Sequence, residues 1–378
     1  MNKLNLLSLD GGGIRGISTL HILKQILESV DRDKPPKPCE YFDMIGGSGS
    51  GGVIALLLGR LRLGIDECIG VYRRLMEVFR RRESLFGLRR PKYSSKKLEQ
   101  DLKVILLEIG YHEDMLLHDL DTSCRVLTCI TDKTTRKAML LTTYTNQRNP
   151  VRLLDALQAN ISHPSLFPSS HNALPLIPSE ETTNPTHLLY TEAANIFPSL
   201  KTNLNCLISI GTGVPSTTTK PNSKSSKQNA NHAMSINAEA TAEGFIRQYT
   251  ELDDENRYFR FSVPNGIAEI GLDKVDEMGC VVHATRDYMG RELVHKYFLR
   301  CADALRKRED TGDGDAILPS ETFSPATVYP VFSQWINHEN TKLDTIVEDQ
   351  SDSPADAQAE PPSENRHRSI IRRYFWRF

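Results

Sequence analysis

Two glycine clusters carry the chemistry legible in this sequence. The first, Asp10-Gly11-Gly12-Gly13-Ile14-Arg15-Gly16, sets Gly11, Gly13 and Gly16 at Gly-x-Gly-x-x-Gly spacing. It lies between an apolar run, Leu4–Leu9, and a segment with helical apolar period at Leu20, Leu23, Ile26, Leu27 and Val30. Free backbone N–H groups at such a strand-to-helix turn can hold negative charge. One use is the pyrophosphate of a dinucleotide. The other is the alkoxide that develops when an acyl carbonyl is attacked. Asp10, directly before the glycines, would repel a phosphate, and this favours the oxyanion use. The second cluster, Gly46-Gly47-Ser48-Gly49-Ser50-Gly51-Gly52, follows the strand-like run Tyr41-Phe42-Asp43-Met44-Ile45 and precedes an apolar helix at 53–58. It carries two hydroxyls, Ser48 and Ser50, the side-chain type that serves as a nucleophile in acyl transfer.

The elements that must position these turns follow from the same patterning. Two strand–turn–helix units within the first 60 residues predict a parallel α/β sheet. Ser18 or Thr19 is placed to cap the first helix, and Ser95 another that runs to Leu107. A helix is expected over 66–82 and another over 151–161, the latter followed by a Ser/Pro-rich loop. Strands are expected at 125–130, 138–143, 188–190, 204–210 and 258–263. The polar stretch 215–232 predicts a mobile loop. Helices are expected near 238–249 and, as one long element, at 281–306.

The chain has 378 residues, 39% hydrophobic and 7% aromatic, with a mean hydropathy of -0.39. That supplies a core and excludes collagen-like, mucin-like and wholly disordered classes. Net charge is -2, from 46 basic and 48 acidic residues, so no global basic excess points to nucleic acid. No apolar run reaches the length of a membrane-spanning helix, and the first residues do not read as a signal peptide. The seven cysteines are odd in number and form no Cys-x-x-Cys pair, so reduced, buried thiols in the cytoplasm are expected rather than disulfides or zinc.

The turns and their order resemble the patatin-like phospholipases over roughly residues 4–305. The resemblance rests on Asp10 to Gly16, on Tyr41-Phe42-Asp43-x-Ile45-Gly46-Gly47, and on Gly51-Gly52-Val53-Ile54-Ala55. Downstream, 159–167 is similar to the family's Pro-containing helix exit, and Leu207-Ile208-Ser209-Ile210-Gly211-Thr212-Gly213 to its strand ending in Gly-Thr-Gly. The resemblance implies a three-layer α/β/α sandwich with a central, mostly parallel sheet. It also implies a lipid acyl hydrolase that works by a Ser–Asp dyad. The serine stands on a Gly-x-Ser-x-Gly elbow, an Asp-Gly-Gly or Asp-Gly-Ala turn supplies the base, and Gly11, Gly12, Gly13, Ile14, Arg15 and Gly16 form the oxyanion turn. No metal and no cofactor are implied. The ligand is a phospholipid or other acyl lipid at a membrane surface.

The sequence departs from the family where the chemistry is done. Counting six residues on from Asp43, the nucleophile position falls on Gly49. Counting the pattern Asp-Gly-Gly-x-x-x-Asn-Asn-Pro back from Pro198 puts the Asp position at Tyr190, with Thr191 and Glu192 for the glycines. With the oxyanion turn kept and both dyad members gone, a pseudoenzyme that still binds acyl lipid is expected. An active hydrolase using Ser48 or Ser50 with Glu192 as base is the competing expectation, and a protein-binding scaffold the third. The domain is expected at 4–305, with its motif-bearing core at 4–213, a mobile loop at about 214–235 and a largely disordered charged tail at 306–378. Local charge adds a membrane component. Between Arg73 and Lys92 stand eight basic and two acidic residues, a density suited to anionic head groups or to a solvated helix face. An acidic linker occupies 340–360, and 366–378 mixes five Arg with four aromatics, as an interfacial anchor would. The histidines form no metal constellation. Peripheral attachment to membranes from the cytoplasm is the resulting expectation.

Overall fold

The computed structural model describes residues 3–80, 93–119, 123–145, 150–167, 174–215 and 226–307, without the side chains of 226–231. The strands are β1 Leu4–Leu9, β2 Met44–Ser48, β3 Arg125–Asp132, β4 Ala138–Thr142, β5 Leu176–Pro178, β6 Leu204–Ile210 and β7 Tyr258–Phe261. The main helices are α1 Gly16–Val30, α2 Ser50–Ala55 (continued by a wide turn at Leu56–Arg60), α3 Ile65–Met76, α4 Ser95–Glu108 and α5 Leu153–Ile161. They continue with α6 Thr186–Ile196, α7 Ser226–Gln248, α8 Met278–Met289 and α9 Glu292–Arg306.

The strands form one sheet in the order β4-β3-β2-β1-β6-β7. Pairings among β3, β2, β1, β6 and β7 are parallel, while β4 and β5 run antiparallel to β3. Both faces are covered, which explains why β1 and β6 read as continuous apolar runs. Alternate residues divide between two cores. Leu7, Leu9, Ile45 and Ile208 face α1, which packs against α3, α8 and α9. Leu6, Met44 and Leu207 face a second cluster with Leu189, Tyr190 and Phe245 from α6 and α7. Each such side chain, fully buried, contributes about 1.5–3 kcal/mol. The α/β class and its parallel sheet are therefore as the turns predict.

Several elements differ from expectation. The first helix begins at Gly16, and Ser18, set for a cap, is instead buried and accepts from the Thr285 hydroxyl at 2.8 Å. Ser94, not Ser95, caps α4, its hydroxyl accepting from the Lys97 amide. Tyr41 ends a helical turn, Pro38–Tyr41; the Asp43 carboxylate accepts from the Asn5 amide at 2.8 Å, and β2 starts after it. The 281–306 helix is two, broken at Gly290 and Arg291. Residues 188–190 lie in α6 rather than a strand, because the face they bury is one side of a helix against the sheet. Residues 226–235, expected as loop, are the first turns of α7, held by tertiary hydrogen bonds from Arg15 and Thr183. Much of the basic 73–92 stretch and all of 308–378 lie outside the described residues. Within it, Arg73 is buried, Arg74 pairs with Glu108, and Arg80 pairs with Glu77 and Asp276.

Candidate active site

The two glycine turns meet at the C-terminal ends of β1 and β2, which pair in parallel from Leu6–Met44 to Leu9–Gly47. At the end of β2 the chain reverses sharply. Gly49 takes φ 50° and ψ -120° and leads straight into α2, the geometry of a nucleophile elbow. Its neighbours two residues away explain the flanking glycines. A Cβ on Gly47 would sit 2.2 Å from the Gly51 carbonyl oxygen, and one on Gly51 would sit 2.2 Å from that of Leu9. A Cβ on Gly49 would meet nothing nearer than the Gly11 Cα at 3.8 Å. The turn thus keeps room for a side chain at position 49, where the sequence supplies none.

The serines beside it are committed elsewhere. The Ser48 hydroxyl donates to the Thr182 carbonyl. The Ser50 hydroxyl accepts the Gly12 N–H at 2.9 Å, filling one donor of the oxyanion turn. Other amides of that turn are also used. Gly11 N–H goes to Thr183 O at 2.9 Å, Ile14 N–H to Leu272 O at 3.0 Å, Arg15 N–H to Gly12 O at 3.3 Å, and Gly16 N–H to Gly13 O. Among the described residues the Gly13 N–H meets no acceptor, and Ser50, in the first turn of α2, has no intrahelical one. By the same count Gly51 and Gly52 have no intrahelical acceptor either, so the donors that can meet a ligand lie in these two turns.

Around the turn, the Arg15 guanidinium is fully buried and bonds to Gly12 O, Ser235 Oγ and Ala268 O, tying the glycines to α7. Burial pushes its pKa down to about 10. Thr212, from the Gly-Thr-Gly turn after β6, donates to Gly11 O at 2.8 Å. Asp10 is buried against Arg260 at 2.6 Å, and Arg260 reaches Glu239 of α7 at 2.7 Å. Burial raises the Asp10 carboxyl to about 6 even though Arg260 pulls it down.

Tyr190 and Glu192 are not part of this site. Tyr190 packs on the rings of Phe245 and Tyr249 at 5.5 and 4.6 Å in the second core, and Glu192 accepts from the Tyr144 hydroxyl at 3.1 Å. The count from Pro198 placed them at the site, and the structure sets them in the second core instead. Asn184-Pro185 opens α6, and the same family spacing counted back from Pro185 puts the Asp position at Ile177, inside β5. Sequence patterning missed this strand because it is three residues long in a Ser/Pro-rich stretch. It pairs with β3 beyond the end of β2 (Ile130 with Pro178), which sets Pro178 against the elbow.

A cavity of about 50 Å³ lies over the elbow, lined by the glycine turn, Ser48, Gly49 and Ser50, by apolar Met76, Phe79 and Leu166, and by His163 and Met234. In the sequence His163 carries one signal, its place in the helix exit at 159–167.

Residues 7–183 match the Patatin family, described as patatin-like phospholipase. The chain is 26% identical over 341 residues to the cGAMP-activated phospholipase of Vibrio cholerae, covering 79% of this chain and 92% of that protein. It is 27% identical over 333 residues to Patatin-like phospholipase 1 of Plasmodium falciparum, covering 78% of this chain but 48% of that one. Among solved structures, VipD from Legionella pneumophila aligns over 82% of this chain and 67% of that chain, with 12% identity and a TM-score of 0.32. Both glycine turns, on adjacent parallel strands, fall within residues 7–183, the part of the chain that matches the patatin-like phospholipase family.

Proposed function

We propose that this chain binds acyl lipids at a membrane surface without running the family's Ser–Asp reaction. The observation that carries it is Gly49, a glycine at the one elbow position with space for a side chain. Ile177 at the recounted Asp position supports it. A dyad acts as a unit, and loss of either member removes most of the rate.

The binding half of the reaction centre remains. The Gly13 and Ser50 amides can donate to a carbonyl oxygen, and Met76, Phe79, Leu166 and Leu272 offer an apolar wall. The cavity, about 50 Å³, is bordered by Met234 of α7 on one side and by the elbow on the other. The phospholipase names of the relatives support phospholipid as the ligand class. No helix among the described residues is long and apolar enough to cross a membrane, which agrees with peripheral attachment. The 366–378 segment, outside the described residues, has the composition to provide that attachment.

The test uses the full chain with anionic phospholipid vesicles. Co-sedimentation is expected, with fatty-acid release no greater than from a Gly13→Ala control. Release well above that control would overturn the loss of catalysis. Unchanged sedimentation after deletion of 366–378 would reject the anchor.

A further inference from the structure

Ser165, His163 and Glu180 form a hydrogen-bonded chain at the rim of the cavity. Ser165 Oγ lies 2.7 Å from His163 Nδ1, and His163 Nε2 lies 3.1 Å from Glu180 Oε1. The residues come from the exit of α5 and the turn after β5, two segments that flank the elbow. A carboxylate at Nε2 holds the proton there and leaves the Nδ1 lone pair facing the serine hydroxyl. The Ser165 amide also points at Nδ1, at 3.2 Å. The imidazole is 18% exposed and lines the cavity with Gly13 and Gly49, while Ser165 is open to solvent. Burial lowers the His163 pKa against the opposing pull of Glu180, so the ring is neutral near pH 7. A hydroxyl on a neutral imidazole that is itself oriented by a carboxylate is the arrangement that activates serine. Ser48 and Ser50 lack it, being bonded to backbone.

We propose that Ser165 is a nucleophile of this chain, with His163 as its general base and Glu180 positioning the ring, acting on small acyl esters at the cavity mouth. This activity is separate from the elbow and does not depend on lipid binding. Oγ bonds to the acyl carbon as its proton passes to Nδ1. The carbon–oxygen bond to the alcohol breaks, and the leaving alkoxide takes that proton. Water then attacks the acyl-serine, giving its proton to Nδ1. The carboxylic acid departs and Ser165 recovers its proton.

The experiment treats the full chain with a fluorophosphonate probe, maps the modified peptide, and follows p-nitrophenyl butyrate hydrolysis. Modification is expected at Ser165, with at least tenfold slower hydrolysis in Ser165→Ala. Glu180→Gln should lower kcat with KM unchanged and move the acidic limb of the pH–rate profile. Ser165→Cys keeps the turn and should exchange fluorophosphonate labelling for alkylation by iodoacetamide. Absence of a probe adduct at residue 165, or unchanged hydrolysis in Ser165→Ala, would overturn the proposal and leave His163 as the cap of its own turn. Vesicle co-sedimentation is read separately, so failure here and failure of the lipid-binding proposal are distinguishable.

Discussion

Gly49 and its two flanking glycines are held by different forces, and substitution separates them. Gly49→Ser places its Cβ in ordinary van der Waals contact, nearest the Gly11 Cα at 3.8 Å, with only the left-handed φ to tolerate, at about 1–2 kcal/mol. It is expected to fold with a melting temperature a few degrees lower and to release no fatty acid, because no dyad base stands beside it. Gly51→Ala drives a methyl into the Leu9 carbonyl and is expected to melt far below the Gly49 variant; similar melts for the two would refute the elbow geometry. Asp10 gives a pH signature. Its folded pKa, about 6, lies above the usual 3.8, so between those values the folded chain holds a proton that the unfolded chain releases. Its contribution to stability is fully present below the lower value and is lost as pH rises through the upper one. Asp10→Asn should remove this downward slope from melting temperatures measured between about pH 4 and 7, and an unaltered slope would assign it to another group.

At the scale of elements, α6 and α7 form a packing unit rather than a source of catalytic groups. Tyr190, Phe245, Tyr249 and Tyr258 share ring contacts of 4.6–5.5 Å. Phe245→Ala should cost about 3–5 kcal/mol, measured by denaturant unfolding. Tyr190→Phe should leave both vesicle binding and ester hydrolysis unchanged; a loss of either would return Tyr190 to the site. The start of α7 covers the cavity through Met234 and is fastened by Arg15 to Ser235 and by Arg260 to Glu239. Met234→Ala is expected to widen the cavity and tighten binding to lysophospholipid micelles, and equal binding would mean that the chain enters elsewhere.

Across the whole molecule, burial rather than pairing keeps the thiols quiet. Six of the seven cysteines are buried and Cys280 is exposed, so a native thiol titration should count one fast group and an unfolded one seven. Two or more fast thiols would contradict the packing of both cores. Much of this architecture was legible in the sequence. Strands β1, β3 and β6 and both glycine turns announce themselves, because apolar period and glycine dihedrals are local properties. Gly49 as the residue at the centre of the second turn was equally legible, since it needs only a count from Asp43. The partners of the turn were not. Nothing local separates Pro185 from Pro198 as the anchor of the base loop, and β5 is too short to show a period. Only its pairing with β3, beyond the end of β2, sets it at the elbow. Ser50 blocking the Gly12 amide and the Ser165–His163–Glu180 chain are likewise contacts between segments far apart in the chain or outside any repeating pattern. The sequence by itself determined the α/β fold and the glycine at position 49. The tertiary structure alone decided which donors are free, which residues surround Gly49, and which serine meets an imidazole, because those depend on distances that sequence spacing does not encode.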